Sequence, residues 1–464
     1  MLKIFFIHCC LRIEWGDIMN FESVFSEKNL KKIYYEKICF STAIGIDKMN
    51  NSYFMKNIDY NIKKISDAIR NGKYEFKEYR IILIPKDVNV KPRKICVPTI
   101  SDRIVIEALK DVIYAFYSDY NLNKSVSSTV HDFIECFNSK KYSYFIKTDL
   151  SSFFDNIDHK ILLKKLSLKI NDTRILLLLE NVLKNKQCYN IEKRLDLKDN
   201  LIGVPQGLSI STLLANIYMI DLDKTFNKCL KIKYFRYVDD IFIYSNDLAI
   251  IYYLKLLFNI KKLNLTINKK KTLIRKMNFN TFEFLGYFIN DSVISVKKSS
   301  IHKLEESLEK IFKNYYYSED DKNKPLKRIN ELQWRLNIRI SGAISNNKRY
   351  GWLFYFKNIT DLKLLYHLDD YVKKLKKRYQ VTNLEVKSFV ESYYKMKSKS
   401  LKTSSYFFNV DSATDDEKRK ILYNITSFSE TEINNLNDRE LDFNFKKAVF
   451  KCLKSLEKDL DSIS

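Results

Sequence analysis

The stretch Tyr234-Phe235-Arg236-Tyr237-Val238-Asp239-Asp240-Ile241-Phe242-Ile243-Tyr244 constrains this chain more than any other. Apolar and aromatic residues run up to two adjacent carboxylates and then resume. β-Branched and aromatic side chains favour pleated strands, and an Asp pair marks the point of reversal, so the pattern predicts strand, tight turn, strand. Two negative charges would then sit side by side at the tip of a hairpin. Water tolerates their repulsion, and a divalent cation over them would favour the arrangement. In isolation, an ordinary polar hairpin turn reads the same way.

Two further segments narrow the choice. Upstream, Tyr144-Phe145-Ile146-Lys147-Thr148-Asp149-Leu150-Ser151-Ser152-Phe153-Phe154-Asp155-Asn156-Ile157 is a second apolar strand that ends in an acid and leads into a helix start. Between the two lies Gly203-Val204-Pro205-Gln206-Gly207-Leu208-Ser209-Ile210-Ser211, a glycine-bracketed loop before an apolar helix from Thr212 to Leu222. A strand-borne Asp, a Pro-Gln-Gly loop and a hairpin Asp-Asp, in that order, resemble the palm of the reverse transcriptases. Tyr-Val-Asp-Asp is that family's form of the catalytic hairpin. The conjunction is far more specific than any one piece.

The flanking segments extend the resemblance over about residues 40–380. Residues 20–75 read as helical with a break at 41–47, where Gly45-Ile46-Asp47 resembles the segment before the fingers in group II intron reverse transcriptases and their bacterial relatives. Tyr79 to Pro85-Lys86 reads as a strand ending at a proline, and Arg93-Lys94-Ile95-Cys96-Val97-Pro98 as its partner across a basic turn. Such a hairpin can lay cations on phosphates. In the family it covers the incoming nucleotide, and Lys86 and Arg93 occupy the matching places. Thr99-Ile100-Ser101-Asp102-Arg103-Ile104-Val105 opens a helix with Ser101 or Asp102 as the expected N-cap. Residues 158–185 read as helices, 186–202 as a small polar hairpin and loop, and Leu248 to Leu263 as an amphipathic helix. Asn264 to Thr272 is expected to turn back into a strand, and Phe282 to Tyr287 resembles the primer-grip hairpin. From Ser299 the pattern is helical, over 300–317, 325–345 and 361–380.

Strand, helix, strand and hairpin through 144–295 predict an α+β fold, a sheet with helices on one face. The resemblance implies a right-hand polymerase with fingers, palm and helical thumb, plus a mostly helical C-terminal segment. The expected divisions are an ill-defined N-terminus over 1–19 and fingers over 20–143. The palm follows over 144–295 with a fingers insertion near 158–202, then a thumb over 296–380 and an extension over 381–464.

Charge agrees with a polyanionic partner. Lys and Arg number 81 against 56 Asp and Glu, a formal net charge of +25. Residues 381–464 hold 14 of each sign, so the excess lies wholly in residues 1–380. AT-rich coding would also raise the lysine count. Interleaved basic and aromatic residues at Lys348 to Phe356 and Lys373 to Arg378 suit a thumb that follows a nucleic-acid backbone, although a solvated charged face reads the same way. Eight cysteines without a Cys-x-x-Cys pair exclude zinc-ribbon and disulfide-framework classes and point to reduced thiols and a cytoplasmic location. The five histidines have no ligand spacing. No apolar run is long enough for a membrane span, and Ile4 to Leu11 is too short for a secretory signal, with Met19 the expected start.

Nucleotidyl transfer needs two divalent ions about 3.5–4 Å apart, held by hard oxygen ligands. The resemblance assigns these to Asp149, Asp239, Asp240 and the carbonyl of Leu150, with two magnesium ions expected because no His or Cys accompanies the acids. Phe154 matches the position packed under the sugar, where a ring excludes a 2′-hydroxyl and favours deoxynucleotides. Gln206 would line the nucleotide pocket, and Lys271 matches the lysine that protonates the leaving pyrophosphate, a match blurred by Lys269 and Lys270. The implied partners are an RNA template, dNTPs and a DNA product, with no membrane; a homo-oligomer or partner protein stays open. Phe154 and Val238 disfavour an RNA-dependent RNA polymerase. With no endonuclease-like His-Asn-His cluster and no RNase H-like acids, the expected role is copying a partner non-coding RNA in bacterial antiphage defence. The alternatives are an RNA-binding maturase-like scaffold, which has little use for clustered acids, and a template-independent or protein-primed DNA polymerase.

Overall fold

The computed structural model describes residues 20–85, 92–120, 126–189, 198–277, 281–290, 293–318, 324–398, 406–457 and 460. By internal contacts the chain divides into two units, residues 1–124 with 144–275, and residues 125–143 with 276–464. The division at 275/276 falls inside the stretch expected to form the palm.

In the first unit, β1 (Tyr79–Ile84) pairs antiparallel with β2 (Arg93–Val97). The next two strands are β3 (Tyr144–Asp149) and the short β4 (Gln187–Cys188), which joins β1 in parallel. A second sheet has the order β5-β6-β3-β7, where β5 is Ile232–Tyr237, β6 Asp240–Ser245 and β7 Leu273–Lys276. The pairs β5/β6 and β6/β3 are antiparallel. Alternation gives each strand an inward set, and Phe145 stacks on Phe242 at 5.3 Å between ring centroids. The Ser211–Asn227 helix is apolar on nearly every side and therefore buried, with Leu214, Ala215, Ile217, Tyr218 and Met219 fully covered. Phe226 from this helix stacks on Tyr234 of β5 at 5.3 Å, and Tyr218 donates to the Leu263 carbonyl at 2.6 Å. The Ala249–Lys262 helix follows β6, as its periodicity predicts.

Several local expectations shift. The N-cap is Thr99 rather than Ser101 or Asp102: its hydroxyl accepts the Asp102 N–H at 3.2 Å, because the helix begins at Ile100. The break in the N-terminal helices spans 39–50 and is pinned by Arg103, which donates to Ser41 Oγ at 3.0 Å and the Ala43 carbonyl at 2.7 Å. A Cβ on Gly45 would meet Thr99 Cα at 2.7 Å, so glycine permits this close approach. Residues 269–271 form a 3-10 turn before β7 instead of continuing a strand.

In the second unit, β8 (Phe282–Phe284), β9 (Tyr287–Ile289) and β10 (Ile294–Val296) form an antiparallel sheet. The first two are joined by Leu285 and Gly286, both at positive φ. Helices follow at Lys298–Tyr317, Pro325–Ser341 and Leu362–Arg378. The helix expected to reach residue 345 stops at Ser341. Gly342 has φ 80°, and a Cβ there would stand 2.4 Å from the Tyr350 carbonyl oxygen. A hairpin of β11 (Ala343–Ser345) and β12 (Lys348–Tyr350) takes its place, turning at Asn346 and Asn347. Asp411 fixes that turn by accepting both Asn N–H groups at 2.8 and 3.0 Å, and β13 (Phe408–Asn409) adds to β11 in parallel. Residues 406–457 are not a separate body. Leu422, Leu441, Phe445 and Val449 share one core with Ile338 and Ala343.

Candidate active site

The β6/β3 register sets Asp240 directly opposite Asp149 on the neighbouring strand. The reversal uses Val238 and Asp239 alone, between Tyr237 and Asp240, so the Asp pair does not share the tip as expected. Asp239 lies in the turn and Asp240 opens β6. A two-residue hairpin wants φ > 0 at its first central residue. Val238 meets this with φ 54°, a conformation that costs a β-branched residue about 1–2 kcal/mol. The carbonyl of Asp239 accepts the Leu150 N–H at 3.3 Å, and the carbonyl of Asp149 accepts the Asn268 N–H at 2.7 Å. Turn, acid strand and the 264–272 segment are thereby tied together. Leu150 itself is buried.

The three acids feel one another. Burial, then the charge of Asp149, pushes the Asp239 carboxyl above the usual carboxylate range, while Lys271 and Arg93 pull it down. Burial, then Asp239 and Asp149, pushes Asp240 up to about 7, against the opposing pull of Lys147 and Lys271. Lys271 answers part of this charge: its Nζ lies 3.0 Å from Asp149 Oδ2. Burial alone would lower its ammonium, but the bond to Asp149 and the charges of all three acids outweigh that and raise it. Among the described residues no three His, Cys, Asp or Glu side chains are spaced as a ready metal cage. The donor set is nevertheless all oxygen, and its mutual repulsion is what hard divalent cations relieve, so magnesium fits the chemistry of the residues present.

The Gly203–Gly207 loop lies against both the acid strand's extension and β2. Gly203 (φ 88°) passes so close to Asp155 that a Cβ would meet its carbonyl oxygen at 2.8 Å. Val204 donates to the Phe154 carbonyl at 2.7 Å, and His159 Nε2 lies 2.7 Å from the Gly203 oxygen. Cys96 of β2 donates to the Gln206 carbonyl at 2.7 Å. The Gln206 side chain donates to Asp155 at 3.4 Å. Phe153 is buried in the core while the adjacent Phe154 is only partly buried. Arg93 opens β2 and reaches Asp239 by its charge. Lys86 lies outside the described residues.

Two features of the site were not anticipated. Asn268 donates to Asp149 Oδ2 at 3.4 Å beside Lys271. Arg236 is buried under the turn: it donates to Val238 O at 2.9 Å and Asn216 Oδ1 at 3.1 Å, and binds Asp223 through Nε at 2.8 Å and Nη2 at 2.5 Å. An Arg on a strand that otherwise reads as buried is the signal that could have found it.

A family model described as reverse transcriptase (RNA-dependent DNA polymerase) matches residues 84–289. The group II intron-encoded protein LtrA of Lactococcus lactis subsp. cremoris is 31% identical over 183 residues, 38% of this chain and 29% of the relative. Protein YkfC of Escherichia coli K12 is 27% identical over 192 residues, 39% of this chain and 49% of the relative. The chain therefore spans less than half the length of either. Among solved structures, apo telomerase from Candida tropicalis aligns with a TM-score of 0.43 and 16% identity, over 91% of this chain and 75% of that one.

Proposed function

We propose that the chain is an RNA-directed DNA polymerase, because residues 84–289 match the reverse transcriptase family model and part of the chain is similar to a protein encoded by a group II intron. The observation that carries the reading is the facing pair Asp149 and Asp240, with Asp239 in the adjoining turn. A chain that only binds RNA gains nothing from burying acids against one another beside a polyanion.

In this reading Asp149, Asp239, Asp240 and the Leu150 carbonyl are the oxygen donors for divalent ions. When bound, magnesium would neutralise charge on the attacking and leaving oxygens. Arg93, with Lys86, holds the triphosphate from the β1–β2 hairpin. Gln206 lines the nucleotide pocket through a loop that Cys96 ties to that hairpin. The partly buried Phe154 ring takes up the space a 2′-hydroxyl would need. Lys271, held protonated beside Asp149, gives its proton to the leaving pyrophosphate. The finer role is the copying of a partner non-coding RNA in antiphage defence. It is supported by the sequence resemblance and by the basic balance of residues 1–380.

The test is DNA synthesis by protein purified with its bound RNA, supplied with magnesium and labelled deoxynucleotides or ribonucleotides. DNA made by the wild type and not by the Asp239→Asn, Asp240→Asn variant supports the reading, and the product sequence names the template. Bound RNA without synthesis from either protein sinks it.

A further inference from the structure

Both carbonyls of the Val238–Asp239 turn are held, and from different directions. Leu150 on the neighbouring strand donates to Asp239 O at 3.3 Å. Arg236, two residues before the turn on the same hairpin, donates to Val238 O at 2.9 Å. The remaining guanidinium donors go to the Ser211–Asn227 helix, in a fork on Asp223 and a bond to Asn216. Tyr234 adds a hydrogen bond to Asp223 Oδ1 at 2.8 Å.

An ion pair in this position is not explained by packing. The Arg236 side chain is 7% exposed and that of Asp223 25%. Apolar side chains of the same volume fill such a space at least as well as a buried pair of charges. What an apolar substitute cannot do is hold a carbonyl oxygen. Valine, moreover, is a poor choice for φ 54°, so the conformation persists because its surroundings impose it.

We propose that Arg236 is a positioning residue: anchored by Asp223 and Asn216, it holds the Val238 carbonyl and thereby keeps the turn in the left-handed conformation that presents Asp239 to Asp149. This rests on the polymerase reading above. The helix that follows the Gln206 loop is thus coupled to the acid-bearing turn through one guanidinium. Asn216 and Asp223 are seven residues apart on that helix, two turns along one face.

The experiment compares the wild type with Arg236→Lys, Asp223→Asn, Val238→Gly and the Arg236→Lys, Val238→Gly double variant. Lysine keeps a charge but cannot hold three partners in one plane. Misplacing a catalytic group by a fraction of an ångström predicts a kcat for Arg236→Lys about 10–100-fold lower, with dNTP KM and template affinity within about threefold. Glycine adopts φ > 0 freely, so Val238→Gly in the Arg236→Lys background should restore kcat by about fivefold or more. Backbone hydrogen exchange over 236–241 should rise in Arg236→Lys while that over 144–148 stays unchanged. Wild-type kcat in Arg236→Lys, a defect confined to KM, no rescue by glycine, or exchange that rises throughout the unit would each overturn the proposal. If the wild type makes no DNA, the polymerase reading falls, and the exchange measurement still decides the clamp.

Discussion

Lys271 Nζ stands 3.0 Å from Asp149 Oδ2, a strand-end acid met by a cation from a 3-10 turn 122 residues away in sequence. Lys269 and Lys270 share that turn, yet Lys271 is the lysine that reaches the acid. If Lys271 delivers a proton to pyrophosphate, Lys271→Ala should lower kcat about 100-fold or more. Lys271→Arg should rescue little, because a guanidinium keeps charge but does not give up a proton. Lys269→Ala and Lys270→Ala serve as controls, with kcat expected within about threefold of wild type. Single-turnover nucleotide incorporation distinguishes the three, and equal losses at all three positions would show a general charge effect.

Burial and two neighbouring carboxylates push Asp240 up to about 7, so at pH 8 its ionised form puts the bare site under electrostatic strain. Asp240→Asn should therefore abolish synthesis while raising stability at pH 8 by about 1–2 kcal/mol, the usual exchange at a strained site. Magnesium should stabilise the wild type more than the variant and close the gap. Thermal unfolding with and without magnesium checks this, and a variant less stable than wild type in metal-free buffer would contradict it.

The C-terminal residues carry part of the second unit's core. Phe445 is fully buried among Leu422, Leu441, Ile338 and Ala343. Arg339 from the Pro325–Ser341 helix donates to the Ser455 carbonyl at 3.0 Å. Phe445→Ala should cost about 3–5 kcal/mol and expose sites in 325–350 to limited proteolysis as well as sites in 438–457. Cleavage confined to the C-terminal helices would mean that the two segments unfold independently.

The palm-like order was legible because strand alternation, the Pro-Gln-Gly loop and the Asp-Asp hairpin are local patterns, and the register of Asp149 with Asp240 follows once β3 and β6 pair. What escaped was set by tertiary context. Thr99 outcompeted Ser101 and Asp102 as N-cap because it lies where the helix begins, a boundary that periodicity leaves uncertain by a turn. The stop at Ser341 depends on Gly342 facing Tyr350, a contact across a hairpin that helical periodicity over 325–345 does not show. Arg236 drew no assignment from sequence because its partner Asp223 lies on the Ser211–Asn227 helix and meets it only in the folded chain. The Asp pair was expected at the tip because polarity marks a turn, whereas the hairpin geometry gives Val238 the positive φ and sends Asp240 into the ladder.

Asp102 gives a pH signature away from the acid cluster. It is buried beneath Thr99 and Tyr74, whose hydroxyls donate to it at 2.6 and 2.9 Å. Burial outweighs those bonds and pushes its carboxyl up to about 6. Since the folded value lies above the unfolded one, the folded state binds the proton more tightly. The stability Asp102 contributes is then fully present below pH ~4, falls as pH rises through ~6, and is level above. Relative to Asp102→Asn, which does not titrate, wild-type stability should decline by about 2–3 kcal/mol over that window. Urea unfolding at pH 4.5, 6 and 7.5 measures it, and a difference that grows with pH would reverse the assignment.

Phe153 and Phe154 are adjacent rings, 5.6 Å between centroids, the first buried and the second only partly so. The buried ring answers for stability, and Phe154 is tied by its backbone to the loop at Val204, whose N–H its carbonyl accepts. Phe153→Ala should therefore destabilise the first unit by about 3–5 kcal/mol through the cavity it leaves. Whatever activity remains should discriminate between sugars as before. Phe154→Ala should cost less than Phe153→Ala, about 1–2 kcal/mol, because a partly buried ring has less burial to lose. It should instead admit ribonucleotides, lowering the deoxy-to-ribo ratio of kcat/KM by about 10-fold or more. That ratio, measured for each variant with one template, separates the roles. If Phe153→Ala rather than Phe154→Ala relaxes the sugar preference, the buried ring sets the floor of the pocket, and Phe154 serves only to shield it from water.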